Sequence, residues 1–344
     1  MLHRDFGLGP RLRGDDRAWW VRTHLANVVN SIPVVDVSAH SAAPSLGATL
    51  GRAARDTGFF CITGHGIASS LIDAVFAQSK QFFAQDLVAK DVLSIRHSPH
   101  NRGYVALGEE RLDASKPGDV KAAFNIGLDL PPDHFEVLAG KLFRGVNVWP
   151  DAHALPGFRE TMLAYFDACH HLGMRLHRAL AHNLGVAESF FDDKLDQPLA
   201  TLRLLHYPPR PERFEPGQIG AGEHTDYGNI TLLATGDAGG LEVRTRSGEW
   251  ISPPTIPGAL ICNIGDCLMR WTNDVYASTP HRVVNPVGRE RYSIAFFLDP
   301  NPDAVIECLP TCVSAERPAR YAPTTGAAYL KSRLDATYLH REKA

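Results

Sequence analysis

No stretch of the chain approaches the roughly 18 consecutive apolar residues of a membrane-spanning helix. The opening MLHRDFGLGPRLRGDDRAWW lacks the apolar core of a secretory signal, so the cytoplasm is the expected location, with no membrane partner. Cysteine is sparse: six residues, at 61, 169, 262, 267, 308 and 312, with no CxxC pair among them. No Cys/His pair at finger spacing follows Cys262/Cys267 or Cys308/Cys312, which argues against a structural zinc site and for reduced, partly buried thiols. An excess of either charge is also missing. A formal charge of -3 and a pI near 6.6 give no electrostatic footprint for nucleic acid. Internal repeats and low-complexity segments are absent, which removes solenoid and fibrous classes.

What remains is ordinary globular material, 44% hydrophobic and 21% charged over 344 residues, enough for a sizeable core. Residues 1–30 mix Gly, Arg and Asp without period and read as a loosely ordered extension. Residues 31–200 read as a helix-rich N-terminal region. The run IPVVDVS (Ile32 to Ser38) suits a buried strand, Ser45 to Asp56 a helix, GFFCITG a second strand, and Ser69 to Phe83 another helix. His97 to Asp133 is polar and Gly/Pro-bearing and reads as a long loop, with Arg102 to Lys121 a candidate lid. The clearest helix runs from Pro156 to Gly185, with an apolar stripe through Met162, Leu163, Phe166 and Leu172. After Ala200 short β-branched runs alternate with turns, which predicts a sandwich or barrel of jelly-roll type over 201–310. A helical tail over 311–344 is expected to cover the barrel or a partner subunit.

His224-Thr225-Asp226 puts two metal-ligand types at i and i+2, on one face of an extended segment. His281, in HRVVN, adds a third ligand type 55 residues further on. Two His and one carboxylate form the facial triad that binds iron(II) and leaves three positions open. The three ligands alone leave zinc, iron and a structural site all possible. Ten residues beyond His281, Arg291 and Ser293 again share a strand face. Arg grips a carboxylate through a planar fork and Ser adds a hydrogen bond, which suits the far end of a dicarboxylate whose keto-acid end chelates the metal. Alternation along Thr201 to Tyr207 puts Arg203, Leu205 and Tyr207 on one face. If Tyr207 faces the metal, Arg203 does too, either as a pocket cation or as an edge residue. Asn263 and Asp266, in NIGD, are either supports for the sheet end near His281 or a simple tight turn.

The order HxD, a distant HRV and then RxS resembles the isopenicillin N synthase-like family of iron(II)/2-oxoglutarate dioxygenases. The segments GFFCITGHGI, RGY, LHYPP, NIGDCLMRWTN and STPHRVV extend the likeness over about Ile32 to Pro300. The resemblance implies a mixed α and β fold, a distorted double-stranded β-helix with flanking helices. It also implies Fe(II), with 2-oxoglutarate and O2 as cosubstrates, and a small-molecule substrate. It places iron on His224, Asp226 and His281, the distal carboxylate on Arg291 and Ser293, and a hydrogen bond to cosubstrate or substrate on Tyr207. Many members carry Asn where Leu205 stands, so this wall is more apolar than usual.

GYVALGEE and HTDYG are similar to the family's ethylene-forming enzymes, which implies substrate roles for Arg203, Glu110 and Tyr227; Ser293 departs from them. Phe297 is a candidate pocket wall. Amino acids and other small acids that could pair with Arg203 lead the candidate substrates. The expected reaction is oxidation of a small organic molecule by hydroxylation, desaturation or cyclisation. Its rivals are ethylene formation, an oxidase that does not use 2-oxoglutarate, a zinc hydrolase, and a non-catalytic metabolite sensor on the same fold.

Overall fold

The apolar segments read from the sequence become strands, but they do not divide at residue 200 as the composition suggests. The computed structural model describes residues 31–38, 43–113, 116–209, 218–285 and 287–335. The expected extension over 1–30 lies outside them, and Ile32 onward forms one unit. Longer elements are numbered in chain order: β1 Val34–Asp36, α1 Ala43–Asp56, β2 Phe59–Thr63, α2 Ser69–Ala84, β3 Gly103–Val105, β4 Ala122–Gly127 and α3 Phe158–Leu184. Then come β5 Thr201–Tyr207, β6 Ala221–His224, β7 Ile230–Thr235, β8 Leu241–Arg244, β9 Trp250–Ile251 and β10 Leu260–Ile264. The series ends with α4 Asp266–Trp271, β11 His281–Val283, β12 Arg291–Leu298, β13 Val305–Ile306, β14 Thr324–Thr325 and α5 Gly326–Asp335.

Eight strands form the major sheet in the order β1-β2-β10-β7-β12-β5-β4-β3. Four form the minor sheet, in the order β6-β11-β8-β9. The two make the jelly roll, and the helices flank it. Strands β1 to β4 come from the N-terminal half, so the sheet that carries the site draws on both halves of the chain. The stretch read as a long loop, His97 to Asp133, contains β3 and β4. Their apolar residues are short and interrupted (Ala122, Phe124 and Ile126 on one side, Lys121 and Asn125 on the other), a period-2 signal hidden by the surrounding Gly and Pro.

That alternation divides the core in two. One face of the major sheet, with Phe60, Ile62, Phe124, Leu202, Leu204, Leu232, Ile294 and Phe296, packs with α2 and α3. The other face, with Phe59, Ala123, Leu205, Tyr207 and Ala295, joins residues of the minor sheet such as Ala221, Leu241 and Val283. Helix α3 begins after Gly157 and ends on Gly185, whose φ of 69° gives the left-handed cap expected of that glycine. Met162, Phe166 and Leu172 are buried along it. Helix α1 lies close enough to α3 that a Cβ on Gly47 would stand 2.4 Å from the Ala179 carbonyl oxygen. All six cysteines are free thiols and five are buried. No helix among the described residues is long and apolar enough to cross a membrane.

Candidate active site

Strand pairing, not sequence proximity, assembles the site. Antiparallel pairing of β11 with β6 sets His281 directly opposite His224, and Asp226 follows two residues after β6 ends. The ligand atoms of His224, Asp226 and His281 lie within 4.8 Å of one another. The Nε2 atoms of the two imidazoles stand 3.8 and 3.6 Å from Asp226 Oδ1. Each ring is turned by its other nitrogen: Nδ1 of His224 donates to the Gly222 carbonyl at 2.7 Å, and Nδ1 of His281 to that of Thr279 at 3.2 Å. A carbonyl can only accept, so Nδ1 carries the proton and each Nε2 keeps its lone pair for the centre.

The acid is held just as firmly. Asp226 Oδ2 accepts from Thr231 Oγ1 at 2.5 Å and from Asn263 Nδ2 at 2.8 Å, which leaves Oδ1 facing the imidazoles. Burial and the neighbouring His281 push the pKa of His224 down to about 3, so this ring is neutral. Burial works against ionisation of Asp226, but the two histidines and its hydrogen bonds outweigh it and keep it charged. Three converging donors, at least one neutral imidazole and an ionised carboxylate suit a single divalent cation.

Phe59, Asn263, Thr231, Phe297 and Thr201 are cross-strand neighbours in one row over β2, β10, β7, β12 and β5. All five line the cavity next to the triad, a space of about 130 Å³. Phe59 packs edge-on against the His281 ring at 5.1 Å. Alternation along β12 puts Arg291, Ser293, Ala295 and Phe297 on the cavity, and along β5 Thr201, Arg203, Leu205 and Tyr207. The expected shared faces are therefore present, and register sets Arg291 opposite Tyr207 and Ser293 opposite Leu205.

Arg291 is 2% exposed. Its Nε donates to the Gly239 carbonyl at 2.8 Å, one terminal nitrogen donates to Ser293 Oγ at 3.0 Å, and the guanidinium lies 4.6 Å over the Tyr207 ring. The Gly239-Gly240 turn that presents this carbonyl needs φ of 67° and 88°, the left-handed region glycine tolerates. Burial lowers the Arg291 pKa, and the Tyr207 hydroxyl offsets this only in part. No carboxylate pairs with Arg291 among the described residues. A buried guanidinium without a counter-ion is costly, so the arrangement suits an incoming anion.

Arg203 faces the cavity too, but not as an unclaimed cation. Its two terminal nitrogens meet Glu110 Oε1 and Oε2 at 3.1 and 2.9 Å. Lys121, which sequence reasoning missed, meets Glu110 at 2.9 Å and Asp119 at 2.6 Å. Burial opposes the charge on Glu110, but Arg203 and Lys121 outweigh it and hold the carboxyl well below its ordinary range. The signal that would have found Lys121 is its register on the β4 face, invisible while the stretch reads as loop. Asp119 also accepts from the Gly222 and Leu112 amides at 2.9 and 3.3 Å, which pins the expected lid to strand β6, the strand of His224, as a wall.

Tyr227 lines the cavity under Arg333, whose guanidinium lies 4.8 Å over its ring. Leu330 and Leu334 of α5 complete that side, so the expected C-terminal helix covers the barrel mouth. Asn263 supports Asp226 rather than His281, while Asp266 accepts from Thr225 Oγ1 at 3.1 Å. His206 turns away from the cavity and stacks on Tyr292 at 4.7 Å, so it offers no fourth ligand.

Comparison with known proteins matches residues 32–152 to the non-haem dioxygenase N-terminal family described from morphine synthesis, and 198–300 to the 2OG-Fe(II) oxygenase superfamily. A 2-oxoglutarate-Fe(II) type oxidoreductase of Emericella nidulans is 41% identical over 274 residues, 78% of either chain. A full-length Neurospora crassa protein solved in complex with α-ketoglutarate and thymine superposes with a TM-score of 0.79 at 33% identity, covering 90% of this chain and 99% of that one. A JOX2 structure with 2OG, Fe and JA gives 0.72 at 29% identity, covering 89% and 84%.

Proposed function

The chain belongs to the 2OG-Fe(II) oxygenase superfamily, and on that premise we propose that His224, Asp226 and His281 hold its iron while Arg291, Ser293 and Tyr207 hold 2-oxoglutarate. The enzyme oxidises a small organic molecule at the expense of O2 and 2-oxoglutarate. For a hydroxylation the balance is substrate C–H plus O2 plus 2-oxoglutarate, giving alcohol, succinate and CO2. Iron(II) chelated by the keto acid supplies the O2 activation that no side chain can.

The residues do the rest. Thr231 and Asn263 fix the Asp226 carboxylate, and the Gly222 and Thr279 carbonyls fix the two imidazoles. Arg291 and Ser293 take the far carboxylate, which orients the keto-acid end toward the triad. Leu205, Leu233, Val283, Ala295, Phe297, Leu330 and Leu334 make the cavity apolar and keep water from competing reactions. Arg203, Glu110 and Tyr227 form the polar part of the substrate side. Position of the substrate C–H relative to the metal decides between hydroxylation, desaturation and ring closure.

One observation carries the assignment: a buried Arg291 with no carboxylate partner among the described residues, in the same cavity as the triad. Anaerobic addition of Fe(II) and then 2-oxoglutarate is expected to give the visible charge-transfer band of a chelated keto acid. The band should be absent in His281→Ala and should need far more 2-oxoglutarate in Arg291→Gln. No band in the wild type would sink the assignment. Succinate released one-to-one with product separates this reading from an oxidase that does not use 2-oxoglutarate, and headspace analysis for ethylene separates it from ethylene formation.

A further inference from the structure

The substrate side of the cavity holds a closed set of charges and two unsatisfied acceptors. Glu110 is shared by Arg203 and Lys121, and Lys121 also meets Asp119, so two cations face two anions. Arg291 and Asp226 are the other charged side chains in the lining, apart from Asp299. With iron(II) and a 2-oxoglutarate dianion in place, the charges of Arg291, Asp226, metal and cosubstrate cancel. Among the described residues that line the cavity, no cation is left to meet an acidic substrate, which would enter a largely apolar site unpaired. A basic substrate is no better served. Glu110 already carries two cations.

The same lining contains Asn101 and Asn125, 7% and 2% exposed. The Oδ1 atom of each is buried and accepts no hydrogen bond from the described residues. Buried acceptors are nearly always paired, so two orphans on one cavity wall need an explanation. Asn125 stands on β4 directly opposite Arg203 of β5, next to the ion cluster. Its Nδ2 points at the Asn101 carbonyl at 3.5 Å, an acceptor that fixes the amide with Oδ1 on the other side. Asn101 itself takes a φ of 61°, a left-handed conformation that Asn tolerates better than most residues, and it lines the same cavity.

We propose that the prime substrate is an uncharged small molecule that donates N–H or O–H hydrogen bonds to the carboxamide oxygens of Asn101 and Asn125. The inference rests on the iron and 2-oxoglutarate assignment above, since the charge balance includes both. It moves the substrate class away from the small acids that an unpaired Arg203 would favour. Arg203, Lys121, Glu110 and Asp119 then act as a rigid neutral wall that positions the two carboxamides.

The test screens the full chain, loaded with zinc(II) and 2-oxoglutarate, by saturation-transfer NMR against three size-matched fragment sets. These are lactams and cyclic imides with a free N–H, their N-methyl derivatives, and small carboxylates. The N–H set is expected to bind, with at least about tenfold weaker binding after N-methylation, the cost of leaving a buried acceptor unpaired. In Asn125→Leu and Asn101→Ala that preference should shrink toward unity. Best binding by carboxylates, equal binding of N–H and N-methyl sets to the wild type, or no binding by any set overturns the proposal. The signal of 2-oxoglutarate in the same tubes shows whether each variant is folded. Its absence in the wild type would overturn the cosubstrate assignment and this inference together, whereas its presence with the wrong fragment preference defeats the inference alone.

Discussion

At the scale of single residues, the site depends on atoms that touch no substrate. Thr231 and Asn263 both donate to Asp226 Oδ2. Removing either leaves the carboxylate free to rotate away from the imidazoles. Thr231→Val and Asn263→Leu are each expected to weaken metal binding roughly 10- to 100-fold, read by competition with a chromophoric chelator, with little change in the KM for 2-oxoglutarate at saturating metal. Arg291 gives a prediction with two opposite signs. Arg291→Met should raise the 2-oxoglutarate KM about a hundredfold, since charge-assisted hydrogen bonds contribute about 1.5–3 kcal/mol. The same change should leave the thermal stability of the metal-free protein equal or higher, because it removes a buried charge with no carboxylate partner among the described residues. A fall in both affinity and stability would mean that Arg291 is a structural ion-pair residue.

At the scale of elements, α5 is the clearest part to test. Its Leu330 and Leu334 line the cavity, and Arg333 bridges Tyr227 and Asp266, the latter at 3.2 Å. Truncation after Thr325 is expected to raise the KM for the prime substrate at least tenfold and to increase succinate formed without substrate oxidation. The iron and 2-oxoglutarate charge-transfer band should persist, because none of the proposed ligands lies on α5. Loss of that band would show that the helix supports the metal centre itself. Strand β4 teaches a related lesson. Its outward residues, Ala122, Phe124 and Ile126, fill the helix-side core, while Lys121 and Asn125 face the cavity. A strand with one polar functional face reads as loop until its neighbours are known.

At the scale of the whole molecule, His177 couples α3 to the loop that carries Asp226. It is buried in α3, its Nδ1 donates to the Gly173 carbonyl at 2.8 Å, and its Nε2 accepts from Asn229 Nδ2 at 3.2 Å. Asn229 lies three residues beyond Asp226. Burial lowers the His177 pKa to about 4, against an ordinary value of 6.5. A folded-state pKa below the unfolded value means that the unfolded chain binds the proton more readily. The stabilisation is therefore fully present above about pH 6.5 and is lost as pH falls toward 4, on the order of 3 kcal/mol in all. Urea unfolding at pH 7 and pH 4.5 should show a smaller acid loss in His177→Gln than in the wild type. An equal loss in the two proteins would assign acid sensitivity elsewhere.

The sequence by itself determined the candidate site residues and the strand faces they share. His224 with Asp226, and Arg291 with Ser293, are pairs two residues apart, and a strand's period of two needs no tertiary information to put each pair on one side. The long helix with its glycine cap and the strands after Ala200 were legible for the same reason, because local spacing and turn chemistry govern them. Tertiary structure alone decided what those faces meet. His281 finds His224 through β6–β11 pairing across 57 residues of sequence. The N-terminal strands complete the sheet that was expected to begin at residue 201, because edge hydrogen bonds can be filled by any strand that reaches them. Whether Arg203 and Arg291 are paired depends on which carboxylates folding brings near them. Folding brings Glu110 to Arg203 and no carboxylate to Arg291 among the described residues, and long-range electrostatics of that kind leaves no local mark on the sequence.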